Sequence, residues 1–418
     1  MNRPTVHVVG AGVSGLSAAV SLAAAAEAQI VVHESAAIAG GRRRPLFDEA
    51  SQTAFDSGAD FVLSSWTSAL ALIEAVGARA QWREAAPDGI AFADLATGER
   101  WRLRLGRGRF PWRLLDRRNR PPGVALGDFW PGARLARAPA AAARLVDYAP
   151  RFGTAAERLW RPFALAALNA DLERASARLA GAALAASRWG GATLLKPSRG
   201  LARGLVEPAL KTLARRGAAT RFERKLVGLA FADGRVAALD FVHDRVDLAP
   251  GDAVILATPP QEATALAPGL AAPQDFAAAV HVHFAAPAAR DAPPILGVAN
   301  GAIHWLLSGE DSMTAVVRDA GALIERPRDQ LAAAAWRDVA ALTGQRDAVP
   351  AWRVVKRKRA AFAATPEQDA LRPGCDTPWP NLFLAGAYVQ TGLPDCLEGS
   401  ARSGAMAAER VNVWLPSR

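Results

Sequence analysis

The chain has 418 residues, enough for two or three domains, and 51% of them are hydrophobic. No segment is long and apolar enough to predict a transmembrane helix, and the two cysteines, Cys375 and Cys396, have the spacing of neither a disulfide framework nor a metal site. These features argue against a membrane-spanning or disulfide-rich secreted protein and predict a cytoplasmic one.

The net charge of +10 is concentrated in one segment. Residues 100–120 carry nine arginines against one acid, Asp116, and apolar side chains are interleaved with the arginines. This pattern favours an anionic lipid surface, into which apolar side chains insert, over nucleic acid. On composition alone, a solvated arginine-rich face explains the segment equally well.

The first half of the chain begins with a regular strand–helix–strand pattern and then becomes irregular. The predicted elements are a strand over 5–9, a helix over 16–26, a strand over 29–33, an amphipathic helix over 66–77 and a mostly helical stretch over 154–186. Residues 100–150 are rich in Arg, Pro and Gly and have no clear period.

The second half alternates strands with helices, which predicts an α/β fold. The predicted elements are a helix over 204–216, extended segments over 220–229 and 234–242, an apolar strand over 252–257, short strands within 278–320, a helix near 328–343, a strand over 381–385 and a helix over 397–415.

The turn after the first strand carries the pattern G-x-G-x-x-G. Gly10 permits a tight turn, Gly12 lets backbone N–H groups approach a pyrophosphate, and Gly15 lets helix and strand pack closely. A strand before this turn and a helix after it are the context that a dinucleotide site requires. The predicted cofactor contacts of the turn are Gly10, Gly12, Val13, Ser14 and Gly15.

Features beyond the turn favour FAD over a nicotinamide cofactor. Glu34 ends the second strand, about 20 residues after the glycines, where a carboxylate can bind ribose hydroxyls. Gly40 and Gly41 bring the backbone close again, and Arg42 can neutralise a diphosphate. The arginines at 43–44 suit a plain charged surface. Nicotinamide enzymes do not need a Gly-Gly-Arg sequence just beyond the ribose acid.

The order of these motifs resembles the superfamily of flavin-dependent amine oxidases and phytoene desaturases, along nearly the whole chain. The resemblance implies further cofactor contacts from Gly58, Ala59, Val227, Gly386, Leu393, Asp395 and Cys396. The N-terminus of the last helix would face the N1/C2 edge of the flavin, where its dipole stabilises the charge of reduced flavin. Cys396 would lie away from the methyl group that carries covalent links, so the resemblance implies non-covalent FAD.

The same resemblance implies an α/β fold in two parts. A discontinuous, Rossmann-like FAD-binding domain of the amine oxidase type is predicted to comprise residues 1–65, 195–262 and 375–418. Residues 66–194 and 263–374 form the predicted α+β substrate domain. Four tryptophans are candidates to line an apolar tunnel, although core packing explains each as well: Trp130, Trp160, Trp189 and Trp305.

Two segments narrow the resemblance to one subfamily. Residues 159–163, which read Leu-Trp-Arg-Pro-Phe, and residues 358–366 are similar to the hydroxysqualene dehydroxylases of bacterial hopanoid synthesis. Helix packing and a basic strand end are the plain alternatives. The similarity implies reduction of hydroxysqualene to squalene, with hydride passing from reduced flavin N5 to an allylic carbon as the hydroxyl leaves as water.

The proton donor for that hydroxyl has two candidates. Asp395 would lie close to the flavin, where an apolar pocket could keep the carboxyl protonated; a helix N-cap is the alternative role. Tyr388 occupies the closing motif, which reads Gly-Ala-Tyr where Gly-Asp-Trp is usual. The histidines show no metal pattern, and His281 and His283 are predicted to be structural.

An isoprenoid substrate insoluble in water favours the membrane interpretation of residues 100–120. We therefore expect a protein bound peripherally to the inner face of the bacterial membrane, with no nucleic acid partner and an electron donor that the sequence does not specify. A carotenoid-type desaturase is the first alternative. An amine oxidase is disfavoured because only Tyr148 and Tyr388 could supply an aromatic cage, and a flavin-free binding module would be colourless.

Overall fold

The structure is a computed structural model that describes residues 3–25, 28–44, 46–48, 53–55, 61–104, 112–137, 139–187, 192–198, 200–309, 311–345 and 348–415. Its strands are β1 Thr5–Val9, β2 Gln29–His33, β3 Leu46–Asp48, β4 Thr53–Phe55, β5 Val62–Leu63, β6 Trp82–Glu84, β7 Ile90–Asp94, β8 Arg100–Leu103, β9 Leu194–Pro197, β10 Ala219–Arg221, β11 Leu226–Ala232, β12 Arg235–Phe241, β13 Arg245–Asp247, β14 Ala253–Leu256, β15 Phe276–Phe284, β16 Ile295–Ala299, β17 Trp305–Ser308, β18 Met313–Arg318, β19 Trp352–Phe362 and β20 Leu382–Leu384. Its α-helices are α1 Val13–Ala25, α2 Thr67–Ala75, α3 Trp130–Leu135, α4 Arg161–Leu168, α5 Ala177–Ala186, α6 Glu207–Arg215, α7 Pro260–Leu266, α8 Arg328–Thr343, α9 Pro366–Ala370 and α10 Leu397–Trp414.

A parallel sheet brings the two ends of the chain together. Its five strands have the order β10-β2-β1-β14-β20, and Val6 of β1 pairs with Ile30 on one side and Ala253 on the other. Helix α10 returns onto α1 so closely that a Cβ on Gly404 would lie 2.2 Å from the carbonyl oxygen of Ser14. The glycine-rich turn and the C-terminal strand therefore meet at the carboxyl edge of one sheet.

A second, mixed sheet has two different faces. Its order is β19-β15-β18-β17-β16-β7-β8, and alternate residues of β18 point to opposite sides. Met313 and Ala315 join the apolar cluster that packs against Trp336 of α8. Val316 lies on the other face in a separate cluster with Trp305. That second face is the one that borders the site described below.

Helices between residues 154 and 186 cover this second face. The prediction of a mostly continuous helical stretch needs correction: a π-helical turn, Ala156–Trp160, leads into α4, and α4 ends at Asn169, whose φ is 53°. The Asn169 side chain donates to the carbonyl of Ala278 at 3.3 Å and accepts from the amide of Asp319 at 2.8 Å. These bonds attach the break between α4 and α5 to the edge of β15 and β18.

Most other predicted elements are confirmed. The strands over 5–9 and 29–33 have the predicted bounds, and the helix near 328–343 is α8. The segment predicted over 220–229 is instead two strands in different sheets, β10 and β11, with Glu223 in a left-handed conformation between them. The helix predicted over 204–216 begins two residues earlier, with a π-helical turn at Ala202–Val206.

Nowhere in the described part of the chain is a helix both long enough and apolar enough to cross a membrane. Each of the three segments assigned to the FAD-binding domain contributes at least one strand to the parallel sheet. The boundaries between the two domains stay a prediction.

Candidate functional site

The glycine-rich turn after β1 leaves open space at the start of α1. Gly10 has a φ of 109°, and a Cβ there would lie 2.6 Å from the carbonyl oxygen of Ala257. A Cβ on Gly15 would lie 1.8 Å from the carbonyl oxygen of Gly10, so the turn tolerates side chains at neither position. A Cβ on Gly12 would meet nothing within 4 Å. Gly12 therefore borders a space that a diphosphate fits, at the positive end of a helix dipole.

Glu34 stands beside this turn at the end of β2. Its Oε2 accepts a hydrogen bond from the amide of Ala11 at 2.9 Å, and its Oε1 accepts one from the amide of Ala36 at 2.9 Å. A carboxylate has further lone pairs, so Glu34 can still accept hydrogen bonds from ribose hydroxyls. Val13 and Ser14 are buried in the first turn of α1.

The second glycine pair folds onto the first. The amide of Gly40 donates to the carbonyl of Ala11 at 2.9 Å, and Gly41 has a φ of 55°. A Cβ on Gly41 would lie 3.3 Å from the Cα of Gly12. The two turns predicted to bind the diphosphate thus border the same space, which is the arrangement that FAD requires of them.

Arg42 forms an ion pair that the sequence does not reveal. Its two terminal nitrogens bind the two carboxylate oxygens of Asp395 at 2.7 and 2.9 Å, and Nη1 also donates to the carbonyl of Ala360 at 2.7 Å. The amide of Phe362 donates to Asp395 at 3.3 Å. Asp395 therefore acts as an acceptor on both oxygens, the pattern of an ionised carboxylate, and this geometry does not support its predicted role as proton donor.

Cys396 rather than Asp395 caps α10, so the N-cap prediction for Asp395 is wrong. The Cys396 Sγ accepts a hydrogen bond from the amide of Gly399 at 3.4 Å. Burial raises the pKa of Cys396 to about 12, so the thiol is protonated at neutral pH. Cys396 is nevertheless partly exposed at the cavity wall, so the prediction of a small buried thiol needs correction.

Tyr388 is buried next to Gly386. Its side chain packs in the larger hydrophobic core, and burial raises the pKa of its hydroxyl. A Cβ added to Gly386 would lie 2.4 Å from Cε1 of the Tyr388 ring. Tyr388 is not part of the cavity wall described below, so its predicted role as a proton donor is not supported. The amide of Gly386 donates to Ser403 of α10 at 3.0 Å and fixes the end of β20.

All of the predicted cofactor contacts stay predictions, including three for which the structure gives no supporting geometry. Val227 is half exposed on β11, and nothing in the structure tests its expected contact with adenine. Gly58 and Ala59 lie outside the described residues.

A large cavity runs from the loop before α10 to the protein surface. Its volume is about 1280 Å³, and Leu393, Asp395 and Cys396 form part of its inner end. Exposed apolar side chains surround its outer end: Trp112, Leu115, Leu126 and Trp130. Of the tryptophans predicted to line a tunnel, Trp130, Trp160 and Trp305 do so, and Trp189 lies outside the described residues.

The cavity-facing side of the mixed sheet is apolar in one half. Val316 pairs with Trp305, and residues directly opposite on antiparallel strands share a face. A Cβ added to Gly297 would lie 2.2 Å from the ring of Phe92, so this ring covers the glycine. The Phe92 ring also meets the Trp305 ring edge-on, with ring centres 5.6 Å apart. This half presents a continuous aromatic and aliphatic wall to the cavity.

The other half of that face is cationic. Ala279 of β15 pairs with Arg318 on one side and Arg357 on the other, which places the two arginines on one face with His281. Burial and then the charge of Arg318 lower the pKa of His281, so its imidazole is neutral. Burial, then the charge of Arg42, lowers the pKa of Arg43 to about 9. Arg43 thus belongs to the cavity wall, and its interpretation as plain surface charge is wrong.

The sequence did not reveal the structural role of Arg372, which holds the loop before α10. Its fully buried guanidinium donates to the carbonyls of Tyr388 at 3.1 Å and Val389 at 2.6 Å and pairs with Asp369 at 3.2 Å. Asp369 in turn binds Arg178 of α5 at 2.6 Å. The only available signal was an arginine before Pro373 in an apolar context, which does not specify carbonyl partners 16 and 17 residues away.

Comparisons with known proteins agree with this geometry. Residues 13–412 match the family described as flavin containing amine oxidoreductase. The chain is 40% identical to a hydroxysqualene dehydroxylase from Rhodopseudomonas palustris, over 97% of this chain and 98% of the relative, and 41% identical to one from Sinorhizobium fredii, over 97% of each. Cyclohexylamine oxidase from Brevibacterium oxydans has the same fold, with a TM-score of 0.73 at 16% identity over 99% of both chains. The predicted α/β fold is confirmed, and the chain belongs to the flavin-containing amine oxidoreductase family as an FAD-dependent oxidoreductase.

Proposed function

We propose that this protein removes the hydroxyl group of hydroxysqualene to give squalene, supplying bacterial hopanoid synthesis. The observation that carries the proposal is the large, mostly apolar cavity, in which Arg43, Arg318 and Asp395 place charged groups beside the loop before α10. The identity of about two fifths with hydroxysqualene dehydroxylases over nearly full length supports it.

The reaction replaces a C–O bond by a C–H bond. Reduced FAD, when bound, supplies the hydride, the departing oxygen keeps the electron pair of the C–O bond, and a proton converts it to water. The chain's own part is to exclude bulk water, align the allylic carbon and stabilise the positive charge that develops there. Phe92, Trp160 and Trp305 line the cavity and present electron-rich rings to that charge.

The direct test is product analysis. Holoenzyme reduced without oxygen is incubated with hydroxysqualene, with free reduced FAD as the control, and the hydrocarbon fraction is analysed by mass spectrometry. We expect squalene in the enzyme reaction alone. Its absence would overturn the proposal, and formation of conjugated polyenes by the oxidised enzyme would favour the carotenoid-type desaturase instead.

We further propose that the protein docks on the inner face of the bacterial membrane by the rim of this cavity. Trp112, Leu115 and Trp130 are 70%, 62% and 63% exposed, values unusual for side chains of this size. Arg113 lies on the same rim and is also exposed. Apolar side chains that insert beside arginines that bind headgroups are typical of peripheral membrane contacts.

Only some arginines of the basic segment, residues 100–120, are exposed and could contact lipid headgroups. Arg100 and Arg104 donate to the carbonyls of Leu342 and Asp88 and thus bind other parts of the protein, and Arg120 is buried. Residues 105–111 lie outside the described residues. Apart from Arg100, the exposed arginines among the described residues of the segment are Arg102, Arg113, Arg117 and Arg118, and the last three follow Trp112 closely in the chain.

Charge neutralisation tests the docking. R113Q/R117Q/R118Q should weaken binding to vesicles of anionic lipid on the order of a hundredfold at low salt, from about 1 kcal/mol for each lost cation. R83Q/R203Q/K211Q removes equal charge from an exposed cluster around another, smaller pocket and serves as the control. Equal binding by both triple variants would contradict docking by the rim.

A further inference from the structure

The inner end of the cavity holds charged groups that an apolar substrate does not explain. Arg43, Arg318 and Asp395 all border it there, beside Cys396 and the aliphatic residues Leu393 and Leu397. A polyisoprenoid chain gains nothing from guanidinium groups, and their desolvation is costly. Asp395 is already paired with Arg42, so Arg318 is the group that a polar part of the ligand would compensate.

Arg318 is held in place by its backbone and not by an acid. Its amide donates to Nδ1 of His304 at 2.9 Å, and the strand pairing through Ala279 directs its side chain to the cavity. The Nε atom is buried and has no hydrogen-bond partner among the residues that the structure describes. Burial lowers the pKa of Arg318 while Asp395 opposes the shift.

Asp395 does not neutralise Arg318 by contact. Both of its oxygens bind Arg42, and the amide of Phe362 takes one of them as well. The carboxylate therefore places negative charge near Arg318 without using the donors of Arg318. Those donors remain available to an oxygen atom that enters the cavity.

We propose that Arg318, assisted by the charge of Arg43, binds the oxygen of the allylic alcohol and is the group that distinguishes the alcohol from a hydrocarbon. This inference rests on the proposed function for the identity of the alcohol. A guanidinium donates to a neutral hydroxyl, and the same bonds strengthen as the C–O bond lengthens and negative charge gathers on oxygen.

The same contact accounts for release of the product. Squalene carries no acceptor, so its binding leaves the donors of Arg318 buried without a partner, which costs affinity. The alcohol and the product otherwise bury almost the same apolar surface. Arg318 thus favours substrate over product in a cavity whose apolar walls bind both equally.

Ligand binding to oxidised holoenzyme tests the inference without turnover. Shifts in the flavin absorption spectrum are titrated with hydroxysqualene and with squalene in the same detergent. In the wild type we expect the alcohol to bind about tenfold or more tightly than squalene. R318M should lose this preference, and its affinity for squalene should rise or stay the same, because no buried donor is then left without a partner. R318K should retain part of the preference.

R113M is the matched control, because it removes an arginine from the other end of the same cavity. Both ligands partition into the same micelles throughout, so a change in the ratio of affinities between wild type and variant reports the protein alone. R113M should keep the wild-type ratio.

Three results with the oxidised holoenzyme would overturn the inference. They are an unchanged preference in R318M, no preference in the wild type, and loss of FAD from R318M, which would make Arg318 a cofactor ligand. Failure of the proposed function looks different: the wild type would form no squalene when reduced, while the Arg318-dependent preference for the alcohol would persist. If R318M formed squalene at the wild-type rate, the inference would be overturned while the proposed function would stand.

Discussion

The two ends of the cavity use arginine in opposite ways. At the inner end, Arg43 and Arg318 are only partly exposed, and burial lowers the pKa of both. At the outer end, Arg113 lies exposed beside Trp112 and Trp130. A desolvated cation needs a specific partner to offset its cost, whereas a solvated one acts through charge alone. The inner end is therefore suited to recognition and the outer end to attachment.

The two ends also differ in what fixes them. The inner loop is held by buried hydrogen bonds from Arg372 and by the cap of α10 at Cys396. The outer end begins with short 3-10 turns such as Trp112–Leu115, whose large side chains are mostly exposed. Substitutions that disturb the inner loop or the cap of α10 should consequently affect cofactor binding and folding, and those at the outer end should affect membrane docking and the approach of substrate.

The largest effect is expected for Gly12→Ala. A Cβ there meets no protein atom within 4 Å, so the apoprotein should keep its stability. The same Cβ would occupy the space assigned to the diphosphate, and we expect FAD affinity to fall by about a hundredfold or more, from loss of close backbone approach. Flavin content of the purified protein and the Tm of the apoprotein are the measurements.

Gly127→Ala provides the matched control at the other end of the cavity. A Cβ on Gly127 also meets nothing within 4 Å, and its backbone does not require glycine. It should retain full flavin content. If G12A bound FAD as tightly as G127A, the assignment of the diphosphate to this turn would be wrong.

Arg372→Met should give the next largest effect. Removing the guanidinium leaves the carbonyls of Tyr388 and Val389 unpaired and breaks a fully buried pair with Asp369, at a cost of about 3 kcal/mol in the free energy of unfolding. Because the loop leads to the inner end of the cavity, flavin retention should also fall. Urea unfolding of the holoenzyme measures the first effect.

R410M, which removes an exposed arginine on α10, should leave both properties near wild type. A loss of stability in R410M as large as in R372M would mean that any arginine near the C-terminus matters, and not the buried hydrogen bonds of Arg372.

How well the sequence predicted each feature depends on how far apart in the chain its interacting residues lie. The β1–α1–β2 unit was predicted closely because its periodicity, glycines and final acid all lie within 34 residues. The pair of Arg42 with Asp395 joins positions 353 apart, and no local pattern encodes it. Arg318 was missed for a related reason: it ends an ordinary alternating strand, and only the neighbouring strands and the C-terminal loop place it at the cavity.

W112S/W130S should have a smaller effect, confined to the outer end. The two exposed indoles insert into lipid in our proposal, so the variant should consume hydroxysqualene embedded in vesicles about tenfold more slowly. In detergent its rate should match the wild type, because the inner end is unchanged. An equal loss of rate in detergent would mean that these tryptophans shape the cavity and do not dock the protein.

The smallest effect concerns the acid stability of the mixed sheet, through His283 of β15. Burial, then the charges of Arg353 and Arg357, lowers the pKa of His283 to about 4, below its ordinary value of 6.5. The imidazole is thus neutral in the folded protein, and the unfolded chain takes up a proton first as the pH falls. His283 therefore contributes stability that is fully present above pH 6.5 and lost progressively down to about pH 4, with about 1 kcal/mol gone at pH 5.5.

H283Q tests this contribution. The glutamine can keep a hydrogen bond to Thr314, which now binds Nδ1 of His283 at 2.9 Å, and the variant should flatten this part of the curve of unfolding free energy against pH. H243Q, at an exposed site on the surface, should leave the curve in place, and an identical slope in all three proteins would show that other groups control the acid sensitivity.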